Sequence, residues 1–172
     1  MATIKDQRAF NRRRWQEICA DPVLGAYDCR VETDRFGQVI VMSIPPSYEH
    51  GGFQSGLVYE FRNHLPNGEV VTECPISTSE GVKAADVIWI SSARKKRALR
   101  QGLLEMAPEI CVEVLSPSNT REEMLEKKRL YFEAGAKEVW FCGLSGRMHF
   151  YLHSAPEKSA VSALCPAFPR RV

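Results

Sequence analysis

The chain lacks any run of about 18 apolar residues, so no segment is long enough to span a bilayer as a helix and no membrane partner is expected. Its N-terminus carries arginines with no apolar signal core behind them, and a cytoplasmic protein is the expectation. An excess of either charge is also missing. The 23 Lys and Arg against 21 Asp and Glu leave a formal net charge of +2, so any affinity for nucleic acid has to come from local patches. No C-x-x-C pair joins the six cysteines, and none stands at zinc-ligand spacing from the four histidines. Free thiols, two of them inside core strands, are expected in place of a disulfide framework. Internal repeats and low-complexity segments are absent. What is present suits one domain over residues 1–172, with 44% hydrophobic residues to build its core.

Residues 1–20 form the first expected helix, with Phe10, Trp15 and Ile18 on one side and Arg8, Arg12, Arg13 and Arg14 around the rest. Asp21-Pro22 breaks it. Strands from Tyr27 to Thr33 and Gln38 to Ser43 flank the turn residues Asp34-Arg35-Phe36-Gly37, a hairpin pattern. A helix from about Tyr48 to Leu65 follows, stopped by Pro66-Asn67-Gly68. A strand from Glu69 to Glu73, a polar loop through Ser77 to Glu80 and an apolar strand from Asp86 to Ile90 come next. Arg94-Lys95-Lys96-Arg97-Ala98-Leu99-Arg100 is the densest positive segment. It is either a nucleic-acid contact, through Arg94, Lys95, Lys96, Arg97 and Arg100, or a solvated loop or short helix.

The stretch from Pro108 to Phe141 organises the rest. Ile110-Cys111-Val112-Glu113-Val114-Leu115 has the composition of a strand buried on both faces, with one carboxylate at its centre. An ionised Glu in that setting costs several kcal/mol unless a cation or hydrogen-bond donors meet it. After Ser116-Pro117-Ser118, Thr120 and Glu123 have capping-box spacing for a helix that ends near Ala134 with Gly135 as its stop. On the helical wheel Met124, Leu125, Tyr131 and Phe132 lie opposite Glu122, Glu126, Arg129 and Glu133, and Lys127 and Lys128 fall on the apolar side. Glu138 to Cys142 is the next strand. Arg147 to Leu152 pairs back on it, and residues 154–172 are an irregular tail with Leu164 and Phe168 pinned to the body.

Asp86 at the start of one core strand and Glu113 within another are carboxylates that adjacent strands bring together. Two acids and a lysine suit a hard divalent cation such as Mg2+, or Mn2+, with the carbonyl of Val114 as a further ligand. Such a cation generates hydroxide from water beside a scissile phosphate, and an ammonium group offsets the charge that develops there.

These residues carry a resemblance. The acid at 86, the segment Pro-Glu-Ile-Cys-Val-Glu-Val-Leu-Ser-Pro-Ser at 108–118, Glu126-Lys127 and Tyr131, then Gly135 and Glu138-Val139-Trp140, resemble the Uma-type restriction-endonuclease family. Weaker likenesses at Glu32 to Gly37 with Val39, at Pro45-Pro46 with His50 and at Cys165 to Phe168 extend it over nearly the whole chain. That family belongs to the PD-(D/E)XK superfamily. The resemblance implies an α/β fold with a restriction endonuclease-like core, a mixed central β-sheet flanked by helices. It implies Asp86 and Glu113 as the metal-binding acids of a Mg2+-dependent enzyme that hydrolyses DNA, and a homodimer. It departs from the superfamily at Leu115, where a lysine often stands, and at Ala85, where a proline usually precedes the first acid. In the Uma-type pattern the lysine moves to the helix, at Lys127, with Tyr131 one turn later to position it or touch the backbone.

Alternatives stand beside each assignment. Asp86 could cap a turn, Glu113 and Lys127 could form a structural ion pair, and Lys128 competes with Lys127 or lays its stem over the core. His50 is either a phosphate ligand or acid or a helix histidine satisfied by hydrogen bonds. Glu32 and Glu60 are both candidates for an additional acid. A nuclease-fold module that binds nucleic acid or a protein partner without hydrolysis is the rival function.

Overall fold

The computed structural model describes residues 4–25, 30–42 and 47–172. Parts of the expected first strand and of the Pro45-Pro46 turn lie outside the described residues. Helix α1 (Ile4–Ala20) stops at Asp21, whose carboxylate accepts from the N–H groups of Val23 and Leu24 and starts the single turn α2 (Pro22–Gly25). Strands β1 (Arg30–Thr33) and β2 (Val39–Met42) pair antiparallel as a separate two-stranded sheet, closed by Asp34, which accepts from the N–H groups of Phe36 and Gln38. Helix α3 (Tyr48–His64) begins at Ser47, whose side chain accepts from the His50 N–H.

Next come β3 (Gly68–Thr78), β4 (Gly81–Ser91), α4 (Ser92–Ala98), β5 (Leu99–Arg100), β6 (Leu103–Leu104) and β7 (Ile110–Val114). The chain then forms α5 (Arg121–Glu133), β8 (Glu138–Cys142), β9 (Met148–Leu152) and β10 (Ala155–Ala160). The large sheet has eight strands in the order β10-β9-β8-β7-β4-β3-β6-β5. It is mixed: β7 and β8 are parallel with α5 between them, β3 pairs parallel with β6, and the remaining ladders are antiparallel. The α5 capping box forms as expected, and Gly135 takes φ +106 just beyond the helix end, a conformation glycine adopts without a Cβ penalty.

Three expectations are corrected. Ser77 and Thr78 belong to β3 and lead straight into β4, so the strand that carries Asp86 begins five residues before it and the acid lies mid-strand. The polar residues fit there because Asn11 of α1 donates to Ser77 Oγ and the Thr78 carbonyl, both at 2.9 Å. The tail is also less irregular than its composition suggests, since residues 155–160 add β10 to the free edge of β9 with a register shift between Ala155 and Ser159. Beyond it, buried Glu138 accepts from the N–H groups of Ala163 and Leu164 at 2.8 and 2.7 Å and from Trp140 Nε1 at 2.7 Å. Phe168 then packs on Trp140 with tilted rings and centroids 4.7 Å apart, so residue 168 is pinned to the body.

The sheet has a core on each face. One gathers Ile88, Ile90, Cys111, Val139 and Phe141 under Met124, Tyr131 and Phe132 of α5. The other gathers Val87, Val112, Trp140 and Phe150 under Leu57 and Phe61 of α3. The described cysteines are free. No helix among the described residues is long and apolar enough to cross a membrane.

A candidate cation site where two strands change face

Along β3 and β4 the side chains stop alternating at one point. Val70, Val87 and Trp89 belong to the α3 side, whereas Cys74, Ile76 and Ala85 belong to the α5 side. Regular alternation would keep Val70 with Cys74, and Ala85 with Val87, on one face. The exchange falls between the ladder pairs Thr72↔Val87 and Cys74↔Ala85, where Glu73 stands opposite Asp86 and adopts φ 51. A non-glycine residue in that left-handed region is strained. The irregularity releases Asp86 from the ladder and turns both carboxylates toward one place.

The β4–β7 register, Val87↔Val112 and Ile88↔Cys111, continues to set Asp86 beside Glu113. Asp86 is buried and accepts from the Val114 N–H at 2.6 Å, so Val114 meets the cluster through its N–H. Glu113 is buried as well. Tyr131 donates its hydroxyl to Glu113 Oε1 at 2.6 Å, and Lys127 Nζ reaches Oε2 at 3.2 Å. Residues 127 and 131 stand one helical turn apart on α5, which is why both meet one carboxylate. Burial pushes the Glu113 pKa from its ordinary 4.5 up to about 7, with Lys127 pulling it down and Asp86 adding to the rise. Burial works against the Lys127 ammonium too, but Glu113 and Glu32 outweigh it and raise its pKa. The Tyr131 phenol is held well above its ordinary range by burial and by Glu113.

Glu32 enters from the hairpin. β1 lies against β4, with Thr33 Oγ1 accepting from Val82 N at 2.9 Å and Glu32 Oε1 accepting from Ala84 N at 3.2 Å. Lys127 Nζ contacts Glu32 Oε1 at 2.9 Å, so this ammonium joins Glu32 to Glu113. His50, in the first turn of α3, brings Nε2 to 3.7 Å from Asp86 Oδ1. One ligand atom from each of His50, Glu73 and Asp86 lies within 4.8 Å of the others. Gln54 holds Glu73 from the next turn of the helix at 2.6 Å.

The remaining candidates lie elsewhere. Glu60 pairs with His64 at 3.3 Å, ten residues along α3 from His50, a distance of about 15 Å at helical rise. Lys128 donates to the Pro156 carbonyl at 2.6 Å and covers the Tyr151 ring at 4.6 Å. The basic segment sits at the other end of β7, beside Glu109. There Arg94 donates to the carbonyls of Ala107 and Gly135, and its Nε lies 3.5 Å from Glu109. Glu109 and Glu113 are four residues apart, about 13 Å along a strand. Lys95 pairs with Glu69 at 2.7 Å and Arg100 donates to the carbonyls of Lys96 and Leu99. Lys96 and Arg97 project into solvent.

Arg30 and Glu73 were not singled out in the sequence. Arg30 Nη1 donates to Asp86 Oδ1 and Nη2 to the Ala84 carbonyl, while Nε lies 3.1 Å from Glu73 Oε2. Nη2 also stands 3.9 Å from Glu32 Oε1 and 4.0 Å from Glu113 Oε2. Burial lowers the guanidinium pKa, but Glu113, Asp86 and Glu73 raise it further, so it stays charged. One signal was available: Arg30 is two residues from Glu32, and strand alternation puts both on one face. Glu73 had none, because nothing in its neighbourhood marks a left-handed non-glycine residue.

A mixed sheet of this order, flanked by α3 and α5 and carrying paired acids and a helix lysine at its centre, is a restriction endonuclease-like fold. The family model described as "Uma2: Putative restriction endonuclease" matches residues 20–162, and the chain belongs to this family. The match includes every residue of the cluster and leaves out nearly all of α1 and the Phe168 tail. Among solved structures the fold is similar to that of "a putative nuclease belonging to DUF820" from Anabaena variabilis, with TM-score 0.60 and 15% identity over 75% of this chain and 73% of that one. No curated protein matches the chain.

Proposed function

We propose that the chain is a divalent-cation-dependent endonuclease that hydrolyses phosphodiester bonds in DNA, with Asp86 and Glu113 holding Mg2+ or Mn2+. The observation that carries this reading is the guanidinium of Arg30 set among Glu32, Glu73, Asp86 and Glu113, a cation already standing where the acids converge. The donors around Asp86 suit a hard cation, since the Glu73 carboxylate and the His50 imidazole each bring a ligand atom within 4.8 Å of it. When bound, the metal supplies an activated water and neutralises charge on the scissile phosphate. The protein's own part is positional. Val114 N–H and Tyr131 fix one oxygen of each acid, which leaves Asp86 Oδ1 and Glu113 Oε2 facing inward. Lys127, held charged between Glu32 and Glu113, stands ready to offset the charge that develops on phosphorus. His50 at the rim is a candidate phosphate contact, and the exposed Lys96 and Arg97 are the members of the basic segment free to meet a DNA backbone.

Family membership supports a nuclease, and because two strands need two cuts a homodimer goes with it. The rival reading, a module that binds without hydrolysis, draws on Arg30 neutralising the acids and on Leu115 standing where a lysine is common. Supercoiled plasmid with Mg2+ or Mn2+ separates the two. Nicking by wild type that is lost in both Asp86→Ala and Glu113→Ala supports the enzyme, and equal retardation of DNA by all three proteins without nicking supports the module.

A further inference from the structure

The acids are brought together around a positive charge supplied by the chain itself. Lys127 accounts for Glu32 and Glu113 on the α5 side. Among the described residues Arg30 alone reaches all four carboxylates: it bonds Asp86, approaches Glu73 at 3.1 Å, and stands about equally far from Glu32 and Glu113, at 3.9 and 4.0 Å. A hard divalent cation takes its oxygen ligands at about 2.1 Å. An ion bound to Asp86 Oδ1 and reaching toward Glu113 therefore takes the position from which Arg30 now bonds that oxygen, and the two exclude each other there.

The guanidinium makes two hydrogen bonds, Nη1 to Asp86 Oδ1 and Nη2 to the Ala84 carbonyl, and its remaining contacts with the acids are ion pairs without fitted hydrogen-bond geometry. Its Nε is buried and has no hydrogen-bond partner, because the approach to Glu73 lacks hydrogen-bond geometry. The contacts to Glu32 and Glu113 are likewise ion pairs at long range. A guanidinium fixed for good in a structural role satisfies its planar fork of donors, commonly in bidentate pairs. This one leaves part of the fork unused.

We propose that Arg30 is the resting occupant of the cation seat, and that a divalent ion enters only by displacing it. The inference rests on the metal-binding reading above and adds a competitor to it. A seat whose binding-competent state is only partly populated has its apparent affinity lowered by that fraction, so removing the competitor tightens binding.

The test is Mn2+ binding to the intact protein, read from the paramagnetic resonance signal of the free ion, for wild type, Arg30→Gln, Arg30→Lys and Asp86→Asn. Arg30→Gln is expected to bind Mn2+ at least about tenfold more tightly than wild type. Arg30→Lys, whose shorter ammonium reaches fewer of the acids, is expected in between, and Asp86→Asn is expected to lose binding. Equal affinity in wild type and Arg30→Gln overturns the competition while leaving the metal site standing, and weaker binding in Arg30→Gln overturns it by making Arg30 a support of the ligands. No Mn2+ binding by any of the proteins removes the metal site and the competition together. Circular dichroism checks folding of Arg30→Gln. If that variant does not fold, Arg30→Lys decides the matter, and affinity no tighter than wild type overturns the proposal.

Discussion

Glu113 is a buried carboxylate with two donors, and its titration follows from which influence is larger. In the unfolded chain it titrates near 4.5, whereas in the fold burial outweighs Lys127 and Arg30 and moves it up to about 7. The folded state therefore keeps this proton as pH rises through 4.5, and the stability it contributes is present below 4.5 and lost as pH approaches 7. With chelator present, Glu113→Gln is expected to melt at least about 3 °C above wild type at pH 8, with the gap closing toward pH 4.5, as followed by circular dichroism. An unchanged gap across that range would place the charge of Glu113 in balance with its partners. Lys127 and Lys128, adjacent in sequence, are expected to separate just as clearly. Lys127→Ala leaves Glu32 and Glu113 short of a cation, so it abolishes plasmid nicking and costs about 3 kcal/mol. Lys128→Ala loses the Pro156 carbonyl contact and the Tyr151 ring, about 1–2 kcal/mol, with nicking retained. Nicking assays and urea titrations check both. Glu113 was legible because a carboxylate inside an apolar run is conspicuous. Arg30 was not, since its meaning depends on where the hairpin lands.

Among the elements, the small hairpin of β1 and β2 carries Arg30 and Glu32 but, among the described residues, shares no ladder with the large sheet. Its seat is the tight turn between β3 and β4. Gly81 has φ +97 there, and a Cβ on it would stand 2.3 Å from the Thr33 carbonyl and 2.4 Å from that of Asp34. Gly81→Ala is therefore expected to cost more than about 2 kcal/mol and to lower the melting temperature by about 5 °C or more. It should also weaken nicking at temperatures where the protein remains folded, because the hairpin brings Glu32 to Lys127, which it holds beside Glu113. Full nicking in a destabilised variant would detach the hairpin from the chemistry. Periodicity and capping residues made α3, α5 and the strands β7 to β9 readable. The length of β4 escaped because polar residues 77–80 resemble a loop until Asn11 of a distant helix meets them. The strand β10 escaped for a related reason, since it forms by finding an open edge more than by its own composition.

For the molecule entire, near-neutral charge leaves DNA affinity to patches, and most of the basic segment is committed internally to Glu109, Glu69 and backbone carbonyls. Lys96→Glu with Arg97→Glu is expected to weaken DNA retention in gel shifts and flatten its salt dependence by about two counterions' worth. Its melting temperature should stay within about 1–2 °C of wild type, because both side chains are solvated. Unchanged DNA affinity would move the contact surface away from α4. The proposal that the acids form a cation seat is tested most directly by anomalous scattering from a crystal soaked in Mn2+. The expected map has a peak within coordination distance of both Asp86 and Glu113, with the Arg30 guanidinium moved out of the space between them. A map with no peak there, and Arg30 still bonded to Asp86 at saturating Mn2+, would contradict it.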